Sequence, residues 1–529
     1  MDPNKKDAND WCSSTEKTEL FLGYNGKPGK SENNEETTKI SQEGRKLFQY
    51  IVTLGASLIG MQSGMTLGWT SPILPFLSSK GSFLPDLTED ETSWITSLLA
   101  LGAILGAVPA GKIADFFGRK LAMALTAIPF LTSWITLIFS RSIIGIYIAR
   151  FVGGIGAGAA CVLVPVYIGE IAQASIRGML GTLFPLLFSS GIVFSYVAGA
   201  YLSYTSFNVS CCTVLLFFFV IIVFLPESPM WLVHREKKSE AVRVLKILRG
   251  TDYDVKEEIS TLQDEADRAD SKRGGIMDLI GTKAGRKAFG TCFGLMLFQQ
   301  MSGIDAVLFY TVSIFQDAGS TIEPFVATIV IGLIEVIMTI CVALIIDRFG
   351  RKPLLVISGL AMTVCLGVLG YYFKIKASGE NVVFLGWLPL TSLSLFNVVF
   401  SIGYGSVPFA MISELFPPET KGVASSISIM VHWSLVFAVT KLFPTMEDIL
   451  GEATTFWTFA GFTALSAVFA FFFVPETKGK TLQDIQKKLE RKRKLIEDTL
   501  QLLDDNWSSD GVVKVENVGL FQQTLVIWC

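Results

Sequence analysis

The chain has 529 residues, 50% of them hydrophobic and only 17% charged, where an ordinary soluble domain carries about 25% charged residues. That deficit, together with 40 phenylalanines, excludes a typical soluble protein and points to the bilayer. A net charge of −3 gives no footprint for a nucleic acid or a polyanionic partner.

Residues 1–44 are polar, with KSENNEETTK near their centre. They read as a disordered cytoplasmic tail rather than a cleaved signal peptide, so the first apolar helix is expected to act as the targeting signal. About 20 apolar residues span a bilayer as helix. Twelve such stretches follow, at roughly 47–68, 92–112, 121–140, 143–166, 178–202, 210–226, 288–313, 324–346, 353–373, 383–409, 423–443 and 453–474. Arg45, Lys46, Lys112, Arg119, Lys120, Arg177, Arg348, Arg351 and Lys352 fall at alternate ends, while Lys80 is outnumbered by Asp86, Glu89, Asp90 and Glu91. The bias predicts that both termini are cytoplasmic. Asn208-Val-Ser210 is a glycosylation sequon on the outer side. Residues 227–287 are the one long polar insert, and HREKKSEAVRVLKILRG within it predicts short amphipathic helices. In the tail, 475–529, TLQDIQKKLERKRKLIEDTLQLL has helical apolar spacing.

The chain also repeats itself. IADFFGRK (113–120) recurs as IIDRFGRK (345–352), which pairs Asp115 with Asp347 and Arg119 with Arg351. Glu170, Arg177 and Gly178 recur as Glu414, Lys421 and Gly422, and Pro226-Glu227 recurs as Pro475-Glu476. The displacements are 232, 244 and 249 residues, in one order. Two homologous six-helix bundles, 45–226 and 288–474, are therefore expected, joined by 227–287, in an all-α membrane protein. The repeated charges sit at cytoplasmic helix ends, where acid and base seven residues apart, as in Glu170/Arg177, suit ionic latches between helix ends. Repeated halves with polar groups near their interface describe alternating access around a central site.

Chemistry of other kinds has little support. The eight cysteines form no metal-binding spacing, no P-loop is present, and the two histidines, His234 and His432, leave no catalytic constellation, so neither an enzyme nor a cofactor or metal is expected. GGIGAGAA (153–160) imitates a dinucleotide fingerprint, but it lies in an apolar helix with no strand before it, so close helix packing explains it better.

Three ionisable residues stand out for their depth. Glu335 is 12 residues before Asp347 and His432 is 11 past Lys421, roughly 18 and 16 Å along a helix at about 1.5 Å per residue. Asp305, in QQMSGIDAVLFY (299–310), lies in a stretch otherwise free of charge. An unpaired charge at mid-membrane costs on the order of 3 kcal/mol, so such groups usually face a cavity or one another. Asp305, Glu335 and His432 are expected to line the C-terminal half of one central cavity. A fixed His–carboxylate pair between the eighth and eleventh helices is the alternative, and proton coupling or a cationic substrate is another. Arg150, within the fourth helix, is expected to be structural.

GKIADFFGRK, PVYIGEIAQASIRG, PESP, QQMSGIDAVLFY, DRFGRK and VPETKGKTL resemble the signatures of the sugar porter family of the major facilitator superfamily, in family order over about 370 residues. GWTSPILP and FSIGYGSVPFAMISELFP look most like insect facilitated trehalose transporter-like proteins. The resemblance implies a plasma-membrane facilitative transporter for a sugar such as trehalose or glucose, running without ATP, with the sugar and the lipid bilayer as its partners and no oligomer required. It also implies sugar contacts at Gln299, Gln300, Phe309, Tyr310, Phe409 and Trp433, and a gating network of Asp115, Arg119, Glu170, Arg177, Glu227, Asp347, Arg351, Glu414, Lys421 and Glu476. Departures from the family pattern are Asp305, Glu335 and His432 for asparagines, Pro185 for a glutamine, Phe409 for a tryptophan, Gln173 for a proline and Met230 for an arginine. Residues 47–79 hold no Asp or Glu, so the acid that proton-linked relatives carry there is missing. A non-transporting nutrient sensor remains a further reading.

Overall fold

A computed structural model describes residues 43–271, 281–346, 348–480 and 484–485. Asp347, most of both tails including the helical pattern at 481–503, and residues 272–280 of the insert lie outside the described residues. Among the described residues, twelve helices are long and apolar enough to cross a membrane. The first half comprises span 1 (Leu47–Leu77), span 2 (Glu89–Phe117), span 3 (Arg119–Phe139), span 4 (Ile143–Ile171), span 5 (Arg177–Tyr201) and span 6 (Tyr204–Phe224). The second comprises span 7 (Ala284–Ala318), span 8 (Pro324–Ile345), span 9 (Arg351–Ala377), span 10 (Val383–Leu415), span 11 (Thr420–Leu450) and span 12 (Glu452–Phe473). Every stretch expected from the sequence is a helix, and several run longer than the apolar window because polar end residues continue the helical hydrogen bonding. Span 2, for example, starts at a capping box in which Thr88 and Glu91 bond reciprocally, which satisfies orphan N–H groups at the helix start.

Small residues set how closely the spans approach. A Cβ on Gly154 or Gly158 of span 4 would fall 2.0 Å from the carbonyl oxygen of Leu99 or Ala103 of span 2. The GGIGAGAA run is therefore a backbone-to-backbone contact, as small residues at membrane interfaces allow. Spans 1 and 5 meet likewise, with Gly64 against Phe188 and Gly191 against Met61.

The insert forms three short helices among the described residues, Pro229–His234, Lys238–Arg249 and Lys256–Ser271. Leu232, Val233, Ala241 and Ala266 make a small separate core there. This side of the molecule is called the linker face below. Arg249 fastens the insert to the membrane helices. Its guanidinium is paired with Glu258 at 2.8 Å and donates to the Ile171 carbonyl at the end of span 4 at 2.8 Å, and its own carbonyl accepts from Arg45 N–H at 2.6 Å.

Among the described residues, the hydrogen bonds that join the halves lie from mid-span to the face opposite the linker. Ser189 Oγ of span 5 donates to Glu335 of span 8 at 3.0 Å, Tyr196 OH to the Leu308 carbonyl at 2.8 Å, and Val312 N–H to Ser71 Oγ at 3.1 Å. Nearest the opposite face, Lys441 of span 11 bonds Asp90 and Ser93 of span 2 and lies 4.3 Å over the Trp94 ring.

Candidate functional site

Span 7 is two helices rather than one. Lys283–Met301 ends, Gly303 takes a left-handed φ of 81°, and Ile304–Ala318 begins. Only glycine adopts that conformation without penalty, and a Cβ there would also fall 2.6 Å from the Phe459 ring. Asp305 lies in the first turn of the second piece, where the helix dipole favours a carboxylate. It accepts from Gln300 Nε2 across the break. The acid in the apolar run is thus a clasp over a discontinuity, and only 7% of its surface is exposed.

The neighbouring Gln299 points elsewhere. Its Nε2 donates to the Tyr404 carbonyl at 2.8 Å. Tyr404 belongs to one π-helical turn, Ser401–Gly405, inside span 10, and such turns expose backbone groups in the middle of helices. The break in span 7 and the π turn in span 10 therefore meet at Gln299. Tyr404 OH continues the chain of bonds to the Ser466 carbonyl of span 12 at 2.8 Å.

Glu335 Oε1 accepts from Ser189 of the other half. His432 sits among aromatic side chains. Its ring is edge-on to Phe409 and to Trp433, each 5.5 Å between centroids, and among the described residues it has no carboxylate partner. No His–carboxylate pair between spans 8 and 11 is formed among the described residues. The reason is local: Gln300 draws Asp305 onto the break and Ser189 draws Glu335 toward the first half. Phe309 is buried, and Tyr310 is a strut, with its hydroxyl on the Thr440 carbonyl at 3.1 Å and its ring 5.1 Å from Phe443. Trp433 is buried, whereas Phe409 is 43% exposed.

Eight buried side-chain polar atoms in the described residues have no hydrogen-bond partner, and three of them are Gln299 Oε1, Glu335 Oε2 and His432 Nδ1. Buried polar atoms are nearly always paired in native proteins. Three of the eight thus fall on residues expected from the sequence to contact a solute. Among the described residues no group of three or more His, Cys, Asp or Glu is placed to hold a metal ion.

The charged repeats are built alike in the two halves. Arg119 forks onto Glu170, with bonds of 2.9 Å from both Nε and NH2, and its NH1 donates to the Ala114 carbonyl and to Asp115, each at 3.0 Å. Arg351 reaches Glu414 at 2.9 Å and the Ile346 carbonyl at 3.1 Å. Glu227 accepts the N–H groups of Arg119 and Lys120 at 2.8 and 3.1 Å. Glu476 does the same for Arg351 and Lys352, at 3.0 and 3.1 Å. Each glutamate thereby caps the start of a span, which is the favoured place for a carboxylate. Burial alone would raise the Glu476 carboxyl, but the N–H donors of Lys478, Arg351, Lys352 and Thr477 together outweigh it and hold it below its ordinary range.

Two expected members of this network are elsewhere. Glu170 pairs with Arg119 and not with Arg177, whose guanidinium only reaches the Ala172 carbonyl at 3.5 Å. Lys421 is exposed and has no ionic partner among the described residues. Seven-residue spacing puts acid and base on either side of the loop that ends span 4, so the acid turns to the arginine of a neighbouring span. The sequon expectation also fails. Asn208 is fully buried inside span 6, with Nδ2 donating to the Tyr204 carbonyl at 2.9 Å and Oδ1 accepting from Trp69 Nε1 at 2.8 Å, so the atom that would carry a glycan is enclosed.

Several working residues carried no clear signal in the sequence. Ser189, Ser71 and Lys441 bridge the halves, and nothing in a hydroxyl on a helix announces its partner. Gln173, where the family pattern has proline, exchanges amide bonds with Gln49 of span 1 at 3.0 and 3.1 Å. Arg235, five residues after Met230, donates to the Asp115 and Phe116 carbonyls at 3.2 and 2.9 Å, which supplies a cation at the end of span 2. Arg150 is structural as expected. It is buried, over the Trp69 ring at 5.2 Å, and gives its donors to the Ile95 and Thr66 carbonyls and to Thr70 Oγ1.

The chain matches the family described as "Sugar (and other) transporter" over residues 52–489. It is 36% identical to the facilitated trehalose transporter Tret1 of Culex quinquefasciatus, across 83% of this chain and 86% of that protein. It is equally identical to the Aedes aegypti protein of the same name, but covers 55% of that longer chain; the chain thus spans about half the length of several relatives. Among solved structures it is similar to the partially occluded inward open conformation of the xylose transporter XylE from E. coli, with a TM-score of 0.70 and 25% identity over 83% of this chain and 100% of that one. The proton:xylose symporter XylE bound to 6-bromo-6-deoxy-D-glucose gives 0.68 and 26%, over 84% and 99%. With this family match over most of the chain, the identity to the Culex protein and the likeness of fold, the chain belongs to the sugar (and other) transporter family of the major facilitator superfamily.

Proposed function

We propose that the protein is a facilitative uniporter for a sugar such as trehalose or glucose, in the plasma membrane, with the linker face and both tails in the cytoplasm. Residues 45–226 and 288–474 move as the two bodies of an alternating-access cycle. In the present conformation the outer side is closed by the Lys441–Asp90 contact and the Ser71–Val312 bond, while the ion-pair clusters on the linker face each stay within one half. The observation that carries the reading is the set of unpartnered buried atoms on Gln299, Glu335 and His432. Sugar hydroxyls donate and accept, so Gln299 Oε1 and Glu335 Oε2 accept hydrogen bonds from hydroxyls, while the His432–Trp433–Phe409 aromatic corner packs an apolar sugar face.

The test is uptake of a panel of labelled sugars into vesicles holding the purified full chain. Equilibration without accumulation, insensitive to an imposed pH gradient, is the expected result, and Glu335→Gln should change substrate preference. Uptake driven uphill by the gradient would establish the second reading, proton coupling, which the buried carboxyls of Asp305 and Glu335 favour. Sugar binding without flux would establish a sensor.

A further inference from the structure

The insert helix Lys238–Arg249 presents a second surface that transport does not use. Its buried face is Ala241, Leu245 and Leu248. On another stripe, Ser239, Val242, Arg243, Lys246, Ile247 and Gly250 line a groove of about 850 Å³, at the helical spacing that puts residues on one face. The other wall is the start of span 1, where Leu47 is 73% and Ile51 55% exposed. These side chains face outward from a membrane-crossing helix, so the groove opens to the acyl chains at one end. At its polar end stand Arg45, Arg243 and Lys246.

The charge there is not balanced internally. Arg45 approaches Asp252 only at 3.8 Å, with both side chains largely exposed, and Glu43 is taken by Lys46 at 2.7 Å. Glu240, on the same helix, leans to Lys237 at 3.8 Å. The side chains of Arg243 and Lys246 have no ionic partner or hydrogen bond among the described residues. The groove is also held in place, because the Arg249 bonds to Glu258, Ile171 and Arg45 tie the insert helix to spans 1 and 4.

We propose that this groove binds one anionic glycerophospholipid, with its phosphate between Arg243 and Lys246 and an acyl chain along Leu47, Ile51 and Ile247. Basic side chains at the membrane surface draw anionic headgroups, and the apolar wall selects a lipid over a free phosphate compound. Placing the lipid in the cytoplasmic leaflet rests on the orientation proposed above; the binding itself does not. An occupied groove would bridge the insert to span 1 and so fix the insert against the first half.

Native mass spectrometry of the full chain in detergent, titrated with phosphatidylserine and with phosphatidylcholine, tests it. The expected result is one retained phosphatidylserine per chain. The double substitution Arg243→Gln, Lys246→Gln should weaken it roughly thirtyfold, at about fivefold per basic side chain, and Lys80→Gln on the other face should leave it unchanged. Ile247→Ser should weaken it without altering the thermal unfolding of the protein. Soluble glycerophosphoserine should compete only weakly. Equal retention of the two lipids, equal retention by the double variant, or full competition by glycerophosphoserine would overturn the proposal. Because the readout needs no flux, a failed transport assay and a failed lipid assay are separable.

Discussion

Gln299 is the residue on which most of the binding argument turns, because its amide splits its duties. The nitrogen is committed to the Tyr404 carbonyl, and the oxygen is free. Gln299→Leu keeps the bulk and removes both, so the half-saturation concentration for sugar should rise about tenfold, equivalent to about 1.4 kcal/mol of lost polar contact, as read from uptake kinetics. A second consequence concerns acid. Glu476 titrates below its ordinary range in the folded protein, so its stabilising contribution is full above the ordinary carboxylate range and disappears as pH falls through the lowered folded value. Thermal unfolding should therefore lose more stability on acidification in the wild type than in Glu476→Gln. Residue identity alone revealed that Asp305, Glu335 and His432 are unusual, but it did not reveal their partners. Those are set by Gln300, Ser189, Phe409 and Trp433, and contacts between chain segments far apart in sequence leave no periodic trace.

At the scale of elements, the spans were readable because apolar length is dictated by bilayer thickness. Their interruptions were not. The Ser-Gly pair at 302–303 divides span 7, and the π turn at Ser401–Gly405 distorts span 10, yet both sit inside continuous apolar stretches. Glycine marks such places without specifying them, since Gly154 and Gly158 in the same protein serve close packing in an unbroken helix. Gly303→Val combines a left-handed φ with a clash against Phe459, and should destabilise the protein by about 1–3 kcal/mol, measured as a lowered unfolding temperature. Gly158→Val, which sets a side chain against the Ala103 backbone, should prevent spans 2 and 4 from seating, with little folded protein recovered by size-exclusion chromatography. The sequon shows the opposite error: a three-residue pattern read as a surface signal lies inside span 6, because its tryptophan partner at position 69 is invisible to a local reading.

At the scale of the molecule, internal repetition made the two-half architecture legible, and the charge clusters confirm how deep the repetition runs. In both halves an arginine forks onto the acid of a neighbouring span and donates to the carbonyl five residues behind it. The closure on the opposite face has no such duplicate. Lys441 reaches across to Asp90, Ser93 and Trp94, and on the proposed orientation Lys441→Ala should favour the outward-open form by a factor of about two to five, as expected for one partly exposed ion pair. The increase should be visible as faster thiol labelling of a single cysteine placed in the cavity, added from the face opposite the linker. The two halves also differ in how their spans are interrupted. Span 1 is tied to span 2 by Arg150, which bonds Thr66 and Thr70 of the one and Ile95 of the other, whereas spans 7 and 10 carry their breaks side by side, joined by the hydrogen bond from Gln299 to Tyr404. Cargo-induced reshaping should then be concentrated in the C-terminal body, with the other serving as an anvil, so the cycle would be an unequal partnership rather than the swing of two matched arms.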